Sequence, residues 1–483
     1  MENTSQKVFS NMMWRFFERT GAYLVQFVVS IILARILGPE AYGTIALVTV
    51  FITILQVFVE SGLGSALIQK KNADDIDYST VFYTSIVFCL ILYLLLFFLA
   101  PLIARFYEDE SLTLLTRVLG LTIVISGVKN VQQAYVSKHL LFKKFFFSTL
   151  IGTIGAAIIG IWMAYNGYGV WALVTQQLFN LFVDMVVLWI TIKWRPIKAF
   201  SFKRLKGLFS YGWKLLASSL LETAYNNLCQ LIIGKVYSSS DLAFYNKGRQ
   251  MPNLIINNIN SSIDSVLLPT MSREQDDRVR VRDMTRRSIK TSIYIMAPLM
   301  MGLAFTGSNV ILVLLTDKWL GAVPYLYIFC ITSMFYPVHT ANLNAIKAMG
   351  RSDIFLKLEI IKKIIGIILL VITMRISVMA MAYSLLFMGF FSQLINSYPN
   401  KKLLDYGYLS QLKDIFPSIL LACFMGAIVY LVNFISLSPI ITLIIQVILG
   451  VVVYTSLSMV LKIDSFIYIL NILKGLLRKR RKA

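Results

Sequence analysis

An all-α fold that crosses a membrane about fourteen times is predicted by composition, block length and charge placement. Hydrophobic residues make up 57% of the 483 and charged ones 14%, with a mean hydropathy of +0.72. No water-soluble domain could keep that much apolar surface from solvent. The apolar residues fall in blocks of about 20, enough for a helix to cross a hydrocarbon core of about 30 Å. The formal charge is +22, from 46 Lys+Arg against 24 Asp+Glu. On a soluble protein that balance would suggest nucleic acid, but here the basic residues lie between apolar blocks and report topology.

With proline, glycine and charge clusters as punctuation, the spans lie near residues 11–36, 41–68, 78–104, 113–137, 145–165, 169–192, 207–235, 241–269, 287–315, 321–346, 354–374, 377–400, 411–434 and 439–461. The apolar block of the first is preceded by Arg15, Glu18 and Arg19 and followed by residues 34–39 (ARILGP). It lacks a small-residue cleavage site and reads as a retained span rather than a signal peptide. Every second link then takes the basic residues: Lys7; Lys70 and Lys71; Lys138, Lys143 and Lys144; the runs over 193–206 and 273–290; Lys347, Arg351 and Lys357; Lys401, Lys402 and Lys413; and the run over 462–482. The intervening links hold scattered residues such as Arg35, Arg105, Lys235, Lys318 and Arg375. Basic excess marks the cytoplasmic side, so both termini are expected there. The opposite links are short, among them Glu108-Asp109-Glu110 and Asn166-Gly167-Tyr168-Gly169, and leave no extracytoplasmic domain for an active site.

The link over residues 35–43 has an echo over 235–246, with Ala41-Tyr42 matching Ala243-Phe244. Six spans separate the copies, which therefore share an orientation. Two six-helix bundles related by a parallel repeat, plus two peripheral helices, follow. The expected organisation is an N-terminal lobe over 1–195, a basic linker over 196–206, a C-terminal lobe over 207–405, peripheral spans over 406–461 and a basic tail over 462–483. In the tail, Phe466, Ile469, Leu470, Leu473, Leu476 and Leu477 share a helical face before Arg478-Lys479-Arg480-Arg481-Lys482. That pattern suits an interfacial helix on anionic membrane lipid, the alternative being a solvated tail.

A lipid-facing helix needs no polar side chains, so polar residues at helical spacing mark a face turned to protein or to a wet cavity. Span 1 carries Arg15, Arg19, Gln26 and Ser30, span 2 Thr49, Thr53, Gln56 and Glu60, and span 4 Ser126, Lys129, Asn130 and Gln133. The same pattern returns on span 7 (Lys214, Ser218, Glu222, Asn226), span 8 (Asn246, Gln250, Asn253, Asn257, Asn260, Asp264, with Lys247 and Arg249 beside them) and span 10 (Ser333, Thr340, Asn344, near His339). An unpaired charge at mid-membrane costs about 2.5–3.5 kcal/mol, so these residues require partners or water. Arg15 and Arg19 have a simpler reading, in which they snorkel to the surface beside Glu18. His339 reads first as a packing residue.

Signals for chemistry are weak. Cys89, Cys229, Cys330 and Cys423 lie in apolar stretches, as small hydrophobes rather than a disulfide framework or metal cluster. Asp75-Ile76-Asp77 has the spacing of a metal-chelating pair, yet reads as a solvated acidic loop. No phosphate-cradling Gly-Lys-Ser/Thr loop is present. A non-enzyme without cofactor is expected.

Residues 30–43 (SIILARILGPEAYG), 62–70 (GLGSALIQK), 245–249 (YNKGR), 268–275 (LPTMSREQ), 316–319 (TDKW) and 349–353 (MGRSD) resemble the Wzx-type oligosaccharide flippases, the polysaccharide branch of the multidrug/oligosaccharidyl-lipid/polysaccharide exporter superfamily. The resemblance, from about residue 8 to 405, implies ion-coupled alternating access. Its cargo would be an undecaprenyl-diphosphate-linked oligosaccharide, moved from the cytoplasmic to the outer leaflet of a bacterial plasma membrane. It implies basic residues on the diphosphate, for which Arg15, Arg19, Lys129, Lys247 and Arg249 are candidates, and amides such as Asn253 and Asn257 on sugar hydroxyls. Coupling to a proton or sodium would fall on Glu60, Asp184, Glu222 or Asp264, which otherwise balance the internal cations. A polysaccharide polymerase is a further implied partner. The rival readings are a multidrug exporter of the same superfamily, a membrane polymerase or ligase, and a passive lipid scramblase.

Overall fold

The computed structural model describes residues 21–480 apart from 61, 140 and 436, so the predicted contacts of Arg15, Glu18 and Arg19 lie outside the described residues. Every regular element among the described residues is a helix. In chain order the first half comprises α1 (Gly21–Ile36), α2 (Pro39–Glu60), α3 (Leu63–Gln69), α4 (Asp75–Tyr107), α5 (Ser111–Lys138), α6 (Phe142–Tyr165), α7 (Val170–Thr191) and α8 (Phe202–Val236). The second comprises α9 (Ser239–Arg273), α10 (Arg278–Phe305), α11 (Gly307–Leu314), a 3-10 turn (Asp317–Ala322), α12 (Val323–Met334), α13 (Tyr336–Ala348), α14 (Ser352–Thr373), α15 (Val378–Leu404), α16 (Tyr408–Leu431), α17 (Pro439–Val460) and α18 (Asp464–Arg480).

Among the described residues ten helical stretches are long and apolar enough to cross a membrane. Two of them, Pro39–Gln69 and Asp317–Ala348, are single spans broken internally. The second breaks at Phe335, where Pro337 starts α13 without needing the backbone hydrogen bond it cannot make. The helices α8, α9 and α14 are as long but more polar, since they carry the predicted stripes and, on α14, Lys357, Glu359, Lys362 and Lys363. The predicted turns are present: Gly167 and Gly169 take φ of 78° and 55°, and Glu108 closes α4 at φ 60°.

The chain divides into two compact units, Met1–Ala243 and Phe244–Ala483. Inside the first, α4 packs on α5, α6 on α7, and α8 on α2, α3 and α4. Helices in lipid gain little from apolar burial against one another, so close approach rests on small residues. On α6, a Cβ at Gly152 would stand 2.9 Å from the Asn180 carbonyl and one at Gly155 2.8 Å from the Phe179 ring, which brings α6 and α7 backbone to backbone. In the second unit α10 packs on α16, α12 and α13, and α14 on α15.

The acidic segment expected as a solvated loop is different in the structure. Asp74 caps α4, accepting from the Asp77 N–H at 3.0 Å, while Asp77 is fully buried and bonded by Lys70 at 2.6 Å. Arg204 bridges Asp74 and Asp77 from the first turn of α8 and holds the Asp74 carboxyl well below the usual carboxylate range. The chain entering α8 is tied down by bonds from the Ile197 N–H to Ser79 Oγ (2.9 Å) and from Trp194 Nε1 to Asp75 (3.1 Å). Reading residues 75–77 as a solvated loop holds for the exposed Asp75 but missed the burial of Asp77, because one of the two cations that pair with it, Arg204, comes from a distant segment.

Candidate functional site

Two of the predicted polar stripes, on α2 and α5, meet polar residues of α6 and α7. Thr49, Thr53 and Gln56 on α2, Thr122 and Lys129 on α5, Thr149 on α6, and Gln177, Asn180 and Asp184 on α7 line a cleft of about 280 Å3 within the N-terminal unit. The residues on α7 recur at steps of three and four, which puts them on one face of the helix. Gly152 lets that face approach α6, since any side chain there would push Asn180 away.

At its heart the Lys129 ammonium donates to Asp184 Oδ2 at 2.8 Å, with the two side chains 10% and 13% exposed. The pair cancels two intramembrane charges, yet leaves polar capacity unused. Asp184 Oδ1 and Thr49 Oγ1 are buried and have no hydrogen-bond partner. A buried acceptor left unpaired costs about 1–3 kcal/mol, so a site of this kind favours water, a cation or a hydroxyl-bearing ligand. The cleft is large enough to hold several waters. Beside it, Asn130 Nδ2 donates to the Val59 carbonyl at 2.7 Å and fixes α5 against α2.

The other predicted residues lie elsewhere. Glu60 is exposed at the end of α2, and Glu222 is exposed on α8, accepting from Asn226 at 3.0 Å. In the C-terminal unit Lys247 is buried at 6% exposure, its ammonium 5.5 Å from the centre of the buried Trp319 ring. Arg249 and Asn253 are half-buried and Asn257 is exposed. The exposed Asp264 accepts from Asn344 at 2.8 Å, and Asn260 from Thr340 at 2.7 Å, so two stripe residues hold α9 to α13. The lone His339 is 3.5 Å from Asn396. No group of three or more His, Cys, Asp or Glu among the described residues could hold a metal ion.

Sequence reasoning passed over Gln177 and Asn180, although their spacing to Asp184 in an apolar span was a usable signal. It also missed a buried amide network on the C-terminal unit, in which Asn342 donates to Gln411 (2.9 Å) and accepts from Asn400 (2.7 Å). Next to it Arg286 makes two bonds to Asp414, at 2.6 and 2.8 Å, and Tyr406 a third at 2.9 Å.

Comparison with known proteins agrees with this architecture. Residues 32–324 match the family model described as polysaccharide biosynthesis protein. The teichuronic acid biosynthesis protein TuaB of Bacillus subtilis is 26% identical over 62% of this chain, and the match spans 62% of TuaB's own length, less than two thirds. The succinoglycan biosynthesis transport protein ExoT of Rhizobium meliloti is 23% identical over 72% of this chain and 71% of its own. Among solved structures, the lipid II flippase MurJ in an inward closed conformation superposes with a TM-score of 0.73 at 18% identity, covering 94% of this chain and 99% of MurJ.

Proposed function

The chain belongs to the polysaccharide biosynthesis protein family, and from that premise we propose that it is a flippase for a lipid-linked oligosaccharide of surface polysaccharide synthesis. The substrate is the repeat unit on undecaprenyl diphosphate, carried from the cytoplasmic to the outer leaflet of a bacterial plasma membrane by a protein of fourteen spans with cytoplasmic termini. The observation that carries this reading is the polar cleft around Lys129 and Asp184, set among helices that cross the membrane. Threonine hydroxyls and Gln and Asn amides exchange hydrogen bonds with sugar hydroxyls, and ammonium and guanidinium groups bind diphosphate. The name of ExoT as a transport protein and the MurJ-like fold support it.

Asp184 is the group we assign to ion coupling. A proton or sodium taken up at its free oxygen Oδ1 competes with the ammonium of Lys129, which is then released to the diphosphate. The cycle alternates between a closed pair and an open cation, and each state suits one side of the membrane. A multidrug exporter for cations is the less favoured reading, because here the intramembrane carboxylate is already neutralised by lysine.

The test is depletion of the protein in cells whose glycosyltransferases and polymerase are intact. Complete, unpolymerised repeat units should accumulate on the cytoplasmic leaflet. If single units instead reach the outer leaflet and only polymer is missing, the flippase assignment fails.

A further inference from the structure

A second cavity in the N-terminal unit has the opposite chemistry. It measures about 690 Å3, between α2, α3, α4 and the start of α8, with walls of Phe58, Leu63, Phe88, Phe202, Phe209 and Leu216. That volume is ordinary for a ligand pocket, which runs from about 300 to 1,000 Å3. Lys203 and Lys206, in the first turns of α8, also line it, and no Asp or Glu does.

The two lysines are exposed and have no carboxylate partner among the described residues, whereas Arg204 between them is committed to Asp74 and Asp77. They also stand on a fixed frame. Ser201 N–H donates to Thr80 Oγ1 at 3.2 Å ahead of them, and further along α8 a Cβ on Gly212 would lie 2.9 Å from the Gly62 carbonyl, so helix and wall are in contact. An apolar slot ending in two available ammonium groups, one helical turn apart, is complementary to a molecule with a hydrocarbon chain and an anionic head.

We propose that this slot binds an anionic phospholipid of the surrounding leaflet, an acyl chain against the phenylalanine walls and the phosphate between Lys203 and Lys206. The lipid fastens to the start of α8, and no residue lines both this slot and the cleft of Lys129 and Asp184.

The test uses the full-length protein in phosphatidylcholine vesicles with a trace of phosphatidylglycerol bearing a diazirine at the end of one acyl chain, cross-linked peptides being mapped after irradiation. Peptides carrying Phe88 and Leu216 should be labelled, and unlabelled phosphatidylglycerol should compete. The double variant Lys203→Ala/Lys206→Ala should weaken labelling about 30-fold in apparent affinity, the effect of two lysines at a membrane surface. Leu216→Trp, which fills the slot and leaves both lysines, should suppress labelling as well. Equal labelling by the same probe on a phosphatidylcholine head, labelling unchanged in the double variant, or competition by a polyprenyl phosphate far stronger than by phosphatidylglycerol would each overturn the proposal. None of these outcomes bears on the depletion experiment.

Discussion

Replacing Lys129 by Met separates the structural role of its pair with Asp184 from the transport role proposed for it. Removing one partner of a buried ion pair costs about 3–5 kcal/mol, because the other charge stays behind without compensation. Asp184 is 13% exposed and sits on the wall of a cleft of about 280 Å3, so water can reach the surviving carboxylate. We therefore expect about 2–3 kcal/mol, a 30- to 150-fold change in the folding equilibrium. Asp184→Leu should cost as much by leaving the ammonium, while the double variant Lys129→Met/Asp184→Leu should return to within about 1 kcal/mol of the parent, since a volume-matched apolar pair is near neutral. The resulting coupling energy of about 3–6 kcal/mol is read from a double-mutant cycle of reversible unfolding in mixed micelles. Transport of the lipid-linked repeat unit is followed in parallel. Single variants costing less than about 0.5 kcal/mol would show that the pair behaves like an exposed one and refute the burial argument. Recovery of both stability and transport in the double variant would refute the ion-coupling role of Asp184 and leave the pair a structural contact.

Gly152→Ala should destabilise by about 1–2 kcal/mol despite the better helix propensity of alanine, because the added Cβ meets backbone of α7 at 2.9 Å; a stabilised variant in a thermal melt would contradict that packing. Arg286→Ala should cost about 1.5–3 kcal/mol by leaving Asp414, at 7% side-chain exposure, with Tyr406 alone, and Arg286→Lys should recover less than half, since ammonium cannot make both bonds. Because Arg204 lowers the Asp74 pKa, the stabilisation from that carboxylate is full above the unfolded value of about 3.9 and is lost as pH falls through the lower folded value; Arg204→Gln should move the Asp74 titration up in NMR, and an unmoved titration would remove the cause. Arg249→Ala should abolish transport with membrane insertion intact, and normal complementation would show that Arg249 does not hold the substrate.

Much of this protein was legible as text. Hydropathy is a property of consecutive residues, so the blocks, the turns at Glu108 and Gly167, and the helical stripes could be read without knowing any neighbour. Lys129 and Asp184 could each be marked as intramembrane charges in need of a partner. That they partner one another, 55 positions apart, could not be read, because a stripe states which face is polar and not which helix it meets. The same limit explains Glu60 and Glu222, equally conspicuous in sequence and exposed in the fold, and Asp77, whose burial depends on Lys70 and Arg204 arriving from either side. In lipid the apolar faces of helices are interchangeable, so the choice of neighbour falls to the fit of small residues such as Gly152 and to the few polar bonds that can close. Sequence determined that a polar site must exist inside these spans, and only the packing of α2, α5, α6 and α7 decided which residues compose it.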